Sequence, residues 1–285
     1  MYKFPIGAML DSFRMETREA VKAAAAIGVQ GLQMYATKGE NAPENLTGEK
    51  RKDLLRFVKD NGLVFSAICG DLGKAFIYRE RNIELIDKSK RIMELAKELE
   101  TDVVTTHIGV IPADKNSEKY GVMLSALRAC GEYAAARGVT LAIETGPEVA
   151  PVLNDFVIAA GEGVGVNLDP ANFVMVTGQD PAEAVRLIGK KIVHTHVKDG
   201  VRLKESDPVL IYKSFAEGGI EALDVADYFL EVPVGEGSVN WDEYIGALRE
   251  VGFDGYLTIE RECGDTPAAD IKKAADFIRA GGYLG

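Results

Sequence analysis

The sequence predicts a closed parallel barrel of eight β/α units, a (β/α)8 fold. Three observations predict it. Short apolar strands alternate with amphipathic helical segments along the chain, and eight of each can be read. Four strands end their inner face on a metal-capable side chain: Glu144, Asp169, His196 and Glu260. Two stretches, AAIGVQGLQMY at 25–35 and LREVGFDGYLTI at 248–259, also share the order helix, Gly, apolar, polar, Gly, strand.

The elements follow in order. A strand at 5–9 leads to a helix at 17–27, which Gly28 closes before a strand at 31–36. A helix at 48–61 ends at Gly62, and a strand follows at 63–69. The loop from Gly70 to Arg81 precedes a helix at 81–99 and a strand at 102–108. A helix at 117–137 stops at Gly138, and the strand at 139–145 carries TLAIE. There Leu141 and Ile143 point one way, and Thr140, Ala142 and Glu144 the other. After a helix at 149–161, VGVNLD (164–169) turns Gly165, Asn167 and Asp169 inward. Asp180-Pro181-Ala182-Glu183 starts the next helix, 181–190, with an acidic cap, Pro at the first helical position and Glu three residues on.

The strand at 192–198 places Ile192, His194 and His196 on the inner face, with Val193 and Thr195 outside. The longest irregular stretch, about 200–239, follows, and a loop of that length is expected to be a lid or a contact with substrate or another subunit. Asn240 with Glu243 caps a helix at 240–251, which Gly252 ends. YLTIE, in the strand at 255–261, points Tyr256, Thr258 and Glu260 inward, and a helix at 267–280 closes the chain. No linker divides it, so residues 1–285 read as a single barrel domain.

Composition excludes some functions. The net charge of −11 and the lack of a basic run weigh against gripping a phosphate backbone, so no nucleic acid is expected. No apolar run approaches the ~20 residues that span a bilayer, and the start MYKFPIGAMLDSF lacks the basic and apolar parts of a signal peptide. Cys69, Cys130 and Cys263 show no pairing spacing, which suits free thiols in the cytoplasm. The expected assembly is a homo-oligomer, a dimer or tetramer.

In parallel barrels the C-terminal strand ends form the active face. Glu144, Asp169, His196 and Glu260 all lie there. Three clustered carboxylates repel one another unless a cation joins them, so the set points to one divalent metal ion. Its oxygen-rich balance favours Mn²⁺, then Mg²⁺ or Co²⁺, with Zn²⁺ a remaining option. His194, one layer deeper, is either a hydrogen-bonded core histidine or an orienter of a ligand. His107, ending the fourth strand, is either a satisfied strand-end histidine or within reach of a substrate hydroxyl. Lys198 continues the inward register and suits an ion pair with a carboxylate or substrate better than a Schiff base. Arg202 is either a solvated loop residue or a clamp for a hydroxyl pair, carboxylate or phosphate. Gly235-Glu236-Gly237 reads as a turn, or as a place where backbone amides approach a ligand, and Gly70-Asp71-Leu72-Gly73 as a similar loop.

The motifs LAIETG (141–146), VNLDPAN (166–172), HTHVKDG (194–200), VPVGEGSVNW (232–241) and YLTIERE (256–262) resemble those of the xylose isomerase-like TIM barrel superfamily, in particular its sugar phosphate isomerase/epimerase branch. The resemblance implies one divalent metal on Glu144, Asp169, His196 and Glu260. It also implies proton exchange by Glu144 and Glu260 on opposite faces of a sugar, and an arginine at Arg202. The chain departs at two positions. It has Ala150 where those epimerases carry a glutamate, and Asn172 where they carry a histidine. The implied function is a metal-dependent isomerase or epimerase of a keto- or hydroxy-sugar, phosphorylated or not, with His107, Lys198 and Arg202 as substrate contacts. An inosose dehydratase-type lyase is the alternative. A phosphoester hydrolase or nuclease, which in this superfamily holds three zincs, and a non-catalytic sugar-binding barrel stand further off.

Overall fold

The computed structural model describes residues 4–205, 207–217 and 224–283. Eight parallel strands close on themselves: β1 (Ile6–Met9), β2 (Gly31–Tyr35), β3 (Val64–Cys69), β4 (Val103–Thr106), β5 (Thr140–Glu144), β6 (Val164–Leu168), β7 (Ile192–Val197) and β10 (Leu257–Ile259). β10 pairs with β1 and with β7, which seals the cylinder. The outer layer holds α1 (Thr17–Ile27), α2 (Glu49–Asp60), α3 (Arg79–Glu98), α4 (Glu118–Ala135), α5 (Ala150–Ala160), α7 (Pro181–Ile188), α9 (Trp241–Glu250) and α10 (Pro267–Ala280). The expected (β/α)8 architecture is therefore present, with element ends within two residues of those read from the sequence.

The expected alternation drives the packing. Leu141, Ile143, Val166, Leu168, Leu257 and Ile259 face outward and share one core with Leu153 of α5, Val185 of α7 and Leu248 of α9. Each such side chain, buried almost completely, contributes about 1.5–3 kcal/mol. The caps form as expected: Asp180 accepts from the Ala182 amide, and Asn240 from the Glu243 amide.

Two expectations change. Ile192 and Val193 exchange sides. Ile192 joins the outer core, and Val193 packs with Ala67, Val103 and Ala142. The cause is a bulge: Val166 pairs with Ile192 but Asn167 pairs with His194, so one residue is skipped and the later inward register survives. The stretch 200–239 is not irregular. It contains β8 (Asp199–Arg202) and β9 (Phe229–Val232), which form an antiparallel ribbon outside the barrel, and α8 (Pro208–Glu217) between them. Residues 206 and 218–223 of that stretch lie outside the described residues.

Among the described residues, no helix is long and apolar enough to cross a membrane.

Candidate metal centre

Glu144 is the last residue of β5 and Glu260 immediately follows β10. His196 sits near the end of β7. Asp169 caps the short α6 (Pro170–Asn172), with Oδ1 accepting from the amides of Ala171 and Asn172 at 2.8 and 3.1 Å. The Asp-Pro pair thus splits the labour of one carboxylate: one oxygen starts a helix, and the other is turned into the barrel mouth.

The four groups converge. One ligand atom from each lies within 4.8 Å of the others, and all four residues are buried. His196 Nδ1 is 3.2 Å from Glu260 Oε2, 3.4 Å from Glu144 Oε1 and 3.5 Å from Asp169 Oδ2. His196 Nδ1 and Asp169 Oδ2 are completely enclosed and have no hydrogen-bond partner. Buried polar atoms are nearly always paired. Two orphans pointing into one cluster of carboxylates are what a cation would satisfy, so the residues fit a divalent metal. Three carboxylate oxygens and one imidazole nitrogen suit a hard ion of the Mn²⁺ or Mg²⁺ kind.

Supporting contacts orient the four side chains. Gln33 Oε1 lies 3.0 Å from His196 Nε2, and Gln33 donates its own amide to Thr105 Oγ1 at 2.9 Å. Nε2–H given to Gln33 leaves the Nδ1 lone pair facing the cluster. Asn167 donates to Glu144 Oε2 at 3.2 Å and meets His194 Nδ1 through its Oδ1 at 2.9 Å. His194 Nε2 is 3.1 Å from Thr258 Oγ1. His194 is therefore a hydrogen-bonded core histidine that orients Glu144 through Asn167. Burial, with His196 beside it, holds its pKa well below the ordinary value. Burial also opposes charge on His196, but Glu260 and Glu144 outweigh it and hold that pKa well above the ordinary value.

Lys198 is buried, with Nζ 3.1 Å from Glu260 Oε2, in contact with Glu262 Oε2 and 3.9 Å from both Asp169 and Glu231. Burial disfavours its charge, yet Glu260 and Glu262 dominate and raise its pKa well above the usual value. A lysine held this firmly as ammonium is an ion-pair partner, not a Schiff-base nucleophile.

A cavity of about 480 Å³ opens above the cluster, and Glu144, Glu260, Lys198 and His107 all face it. The ribbon and its helix build one wall from Ile211, Tyr212, Phe229 and Leu230. His107 follows β4, with Nε2 3.9 Å from Glu144 Oε1. Burial opposes its charge, but Glu144 and Asp71 push its pKa up to about 10. Arg202 lies elsewhere: it packs on Gly178 and is not among the described residues lining this cavity. Another hollow, about 630 Å³, opens at the opposite end, beside Ser66, Thr140 and Tyr256; it touches none of the four ligands.

Several residues were not singled out by sequence. Gln33, Asn167 and Asp71 touch site histidines through tertiary contacts, and alternation marks only Asn167 as inward. The glycines of 235–237 lie in a turn. They let the backbone wrap Asp199, whose carboxylate accepts from the amides of Gly200, Gly235 and Val239 and from Trp241 Nε1. A Cβ on Gly237 would stand 2.0 Å from Asp199 Oδ1. Glu148 is also buried; it accepts from the Ile111 amide at 2.6 Å, and burial raises its pKa to about 7.

A parallel (β/α)8 barrel with a buried three-carboxylate, one-imidazole cluster at its C-terminal rim defines the class of protein. The chain belongs to the xylose isomerase-like TIM barrel family, which matches residues 21–281. It is 30% identical over 128 residues to an uncharacterized protein, YfiH, of Bacillus subtilis, covering 42% of this chain and 38% of that one. It is 25% identical over 152 residues to an inosose dehydratase of Clostridium botulinum, covering 52% and 48%. The matched stretches span less than two thirds of these curated relatives. A crystal structure of a xylose isomerase domain protein from Planctomyces limnophilus superposes with a TM-score of 0.78 at 23% identity, over 98% of this chain and 96% of that one, a likeness of fold.

Proposed function

We propose that the protein is a divalent-metal-dependent sugar isomerase or epimerase that abstracts a proton next to a carbonyl of a keto- or hydroxy-sugar. The observation that carries this reading is the pair of buried, partnerless atoms, Asp169 Oδ2 and His196 Nδ1, turned toward Glu144 and Glu260 below an open cavity. Glu144, Asp169, His196 and Glu260 would hold the ion, with Mn²⁺ as first choice. When bound, such an ion supplies Lewis acidity toward a substrate oxygen and offsets the carboxylate charge. Glu144 and Glu260 line the cavity with free oxygen capacity, so one takes the α-proton and the other returns it. Lys198 fixes Glu260 through its 3.1 Å contact. His107, beside Glu144, faces substrate hydroxyls, whereas Arg202, packed on Gly178, stands away from the cavity. A reducing cytoplasm suits three free thiols, Cys69, Cys130 and Cys263.

A dehydratase-type lyase, beginning with the same proton abstraction, is favoured by one particular feature. Asn172 gives its side-chain amide to the Thr145 carbonyl at 2.9 Å, and Ala150 carries no polar group, so two sugar contacts implied for the epimerases are missing.

The test is a screen of ketoses, inososes and sugar phosphates in heavy water with Mn²⁺. Deuterium gained at the α-carbon without loss of water supports the isomerase or epimerase. Loss of water, seen by mass spectrometry, supports the lyase. Failure to exchange any of them, with two or three metals per chain, would overturn both in favour of a hydrolase.

A further inference from the structure

The loop Gly70-Asp71-Leu72-Gly73 follows β3 and borders the cavity. Asp71 uses both carboxylate oxygens. Oδ1 accepts from the Gly73 amide at 2.8 Å and shapes the turn. Oδ2 lies 3.1 Å from Nδ1 of His107, which belongs to the next strand end. With Nδ1 engaged, Nε2 of the same ring faces Glu144 Oε1 across 3.9 Å. That gap is too long for a direct hydrogen bond, but one oxygen atom placed about 2.8 Å from each side fits it. The Tyr212 ring flanks the imidazole with centroids 6.0 Å apart, on the wall built by α8.

We propose that Asp71 is a positioning residue: it holds the His107 imidazole so that Nε2 and Glu144 grip a single substrate oxygen between them. This rests on reading the cavity as the active site. Asp71 itself touches the turn and the imidazole, and acts through His107. A carboxylate behind an imidazole in this way fixes the ring's angle and keeps a proton on Nδ1, because an ionised carboxylate can only accept there.

The substitution Asp71→Asn separates this role from turn building. Asparagine keeps an acceptor for the Gly73 amide, so the turn stays intact. Its NH₂ then faces Nδ1, which must give up its proton to become the acceptor, and Nε2 keeps the ring's remaining proton. The chain has only three histidines, His107, His194 and His196, so their ring nitrogens can be assigned individually. The experiment is ¹⁵N NMR of the full chain loaded with Mg²⁺. The wild type is expected to show His107 protonated at Nδ1, and D71N to show that proton lost from Nδ1, with His194 and His196 unmoved. Identical His107 signals in the two proteins would overturn the proposal. So would a wild-type Nδ1 without a proton.

The kinetic arm uses whichever ketose or inosose the wild type exchanges in heavy water. D71N is expected to lower kcat/KM at least 10-fold while Mn²⁺ affinity stays within threefold; unchanged kcat/KM refutes the assignment. If the wild type exchanges none of these sugars, the proposed reaction fails and the NMR result alone decides the role of Asp71.

Discussion

Asp169→Asn isolates the charge of one proposed ligand. Asparagine is as good a helix cap as aspartate, so the bonds to Ala171 and Asn172 survive and only the oxygen facing the cluster changes. Without an ion, each carboxylate pair at the 4.8 Å outer limit of the cluster repels by about 3.5 kcal/mol at an effective dielectric constant of about 20. Asp169 takes part in two such pairs. Against that it gains about 4 kcal/mol from Lys198 at 3.9 Å, and a similar amount from His196 at 3.5 Å when the ring is charged. The attractions exceed the repulsions by about 2 kcal/mol, so the metal-free variant should melt about 3 °C below the wild type. The effect on metal binding appears on adding Mn²⁺. At 100 times Kd, binding stabilises the wild type by about 2.7 kcal/mol, which for 285 residues raises Tm by about 4–5 °C. A ligand loss that weakens binding 10- to 100-fold leaves only about 0.4–1.4 kcal/mol at the same concentration, a rise of about 1–2 °C. Scanning calorimetry with and without Mn²⁺ reads this directly. A D169N variant that gains as much from Mn²⁺ as the wild type would refute the ligand role and the electrostatic reasoning with it.

Other expectations follow from the same geometry. Glu144→Gln and Glu260→Gln should each lower turnover roughly 10²–10⁴-fold, and near-native turnover in either would remove it from proton transfer. Glu148→Gln tests the buried carboxyl. Its folded pKa of about 7 lies above the ordinary value, so the unfolded chain ionises first and stability is lost as pH rises from about 4.5 to 7. Glutamine keeps the acceptor for Ile111 and should recover about 3 kcal/mol at pH 8 with no gain at pH 4, as read by urea unfolding; equal gains at both would contradict the shift. Gly146→Ala places a Cβ 2.6 Å from the Tyr212 hydroxyl. It should displace the α8 wall and raise KM while Mn²⁺ binding is unchanged, and an unaltered KM would mean that the wall does not meet substrate.

The four clustered side chains were legible because strand alternation has a period of two, and each lies at the inward end of its own strand or one residue beyond it. The residues that orient them were harder to see. Gln33 reaches His196 across 163 positions and Asp71 reaches His107 across 36, and no local pattern encodes such pairs. The Val193 bulge is a matter of register between neighbours, so alternation alone put that side chain on the wrong face. The β8–β9 ribbon escaped notice for a related reason: its four-residue strands are separated by 26 positions, with no tight hairpin turn to announce them. Arg202 shows the limit of motif spacing. Its spacing from His196 is the one the resemblance implied for a substrate contact, yet β8 carries it onto Gly178 and away from the cavity wall.

The most direct measurement is anomalous scattering from a crystal of the protein grown with Mn²⁺. The account predicts a single strong peak within about 2.0–2.3 Å of Glu144, Asp169, His196 Nδ1 and Glu260. A map with no peak among those groups, or with the ion bound elsewhere while they point apart, would contradict it.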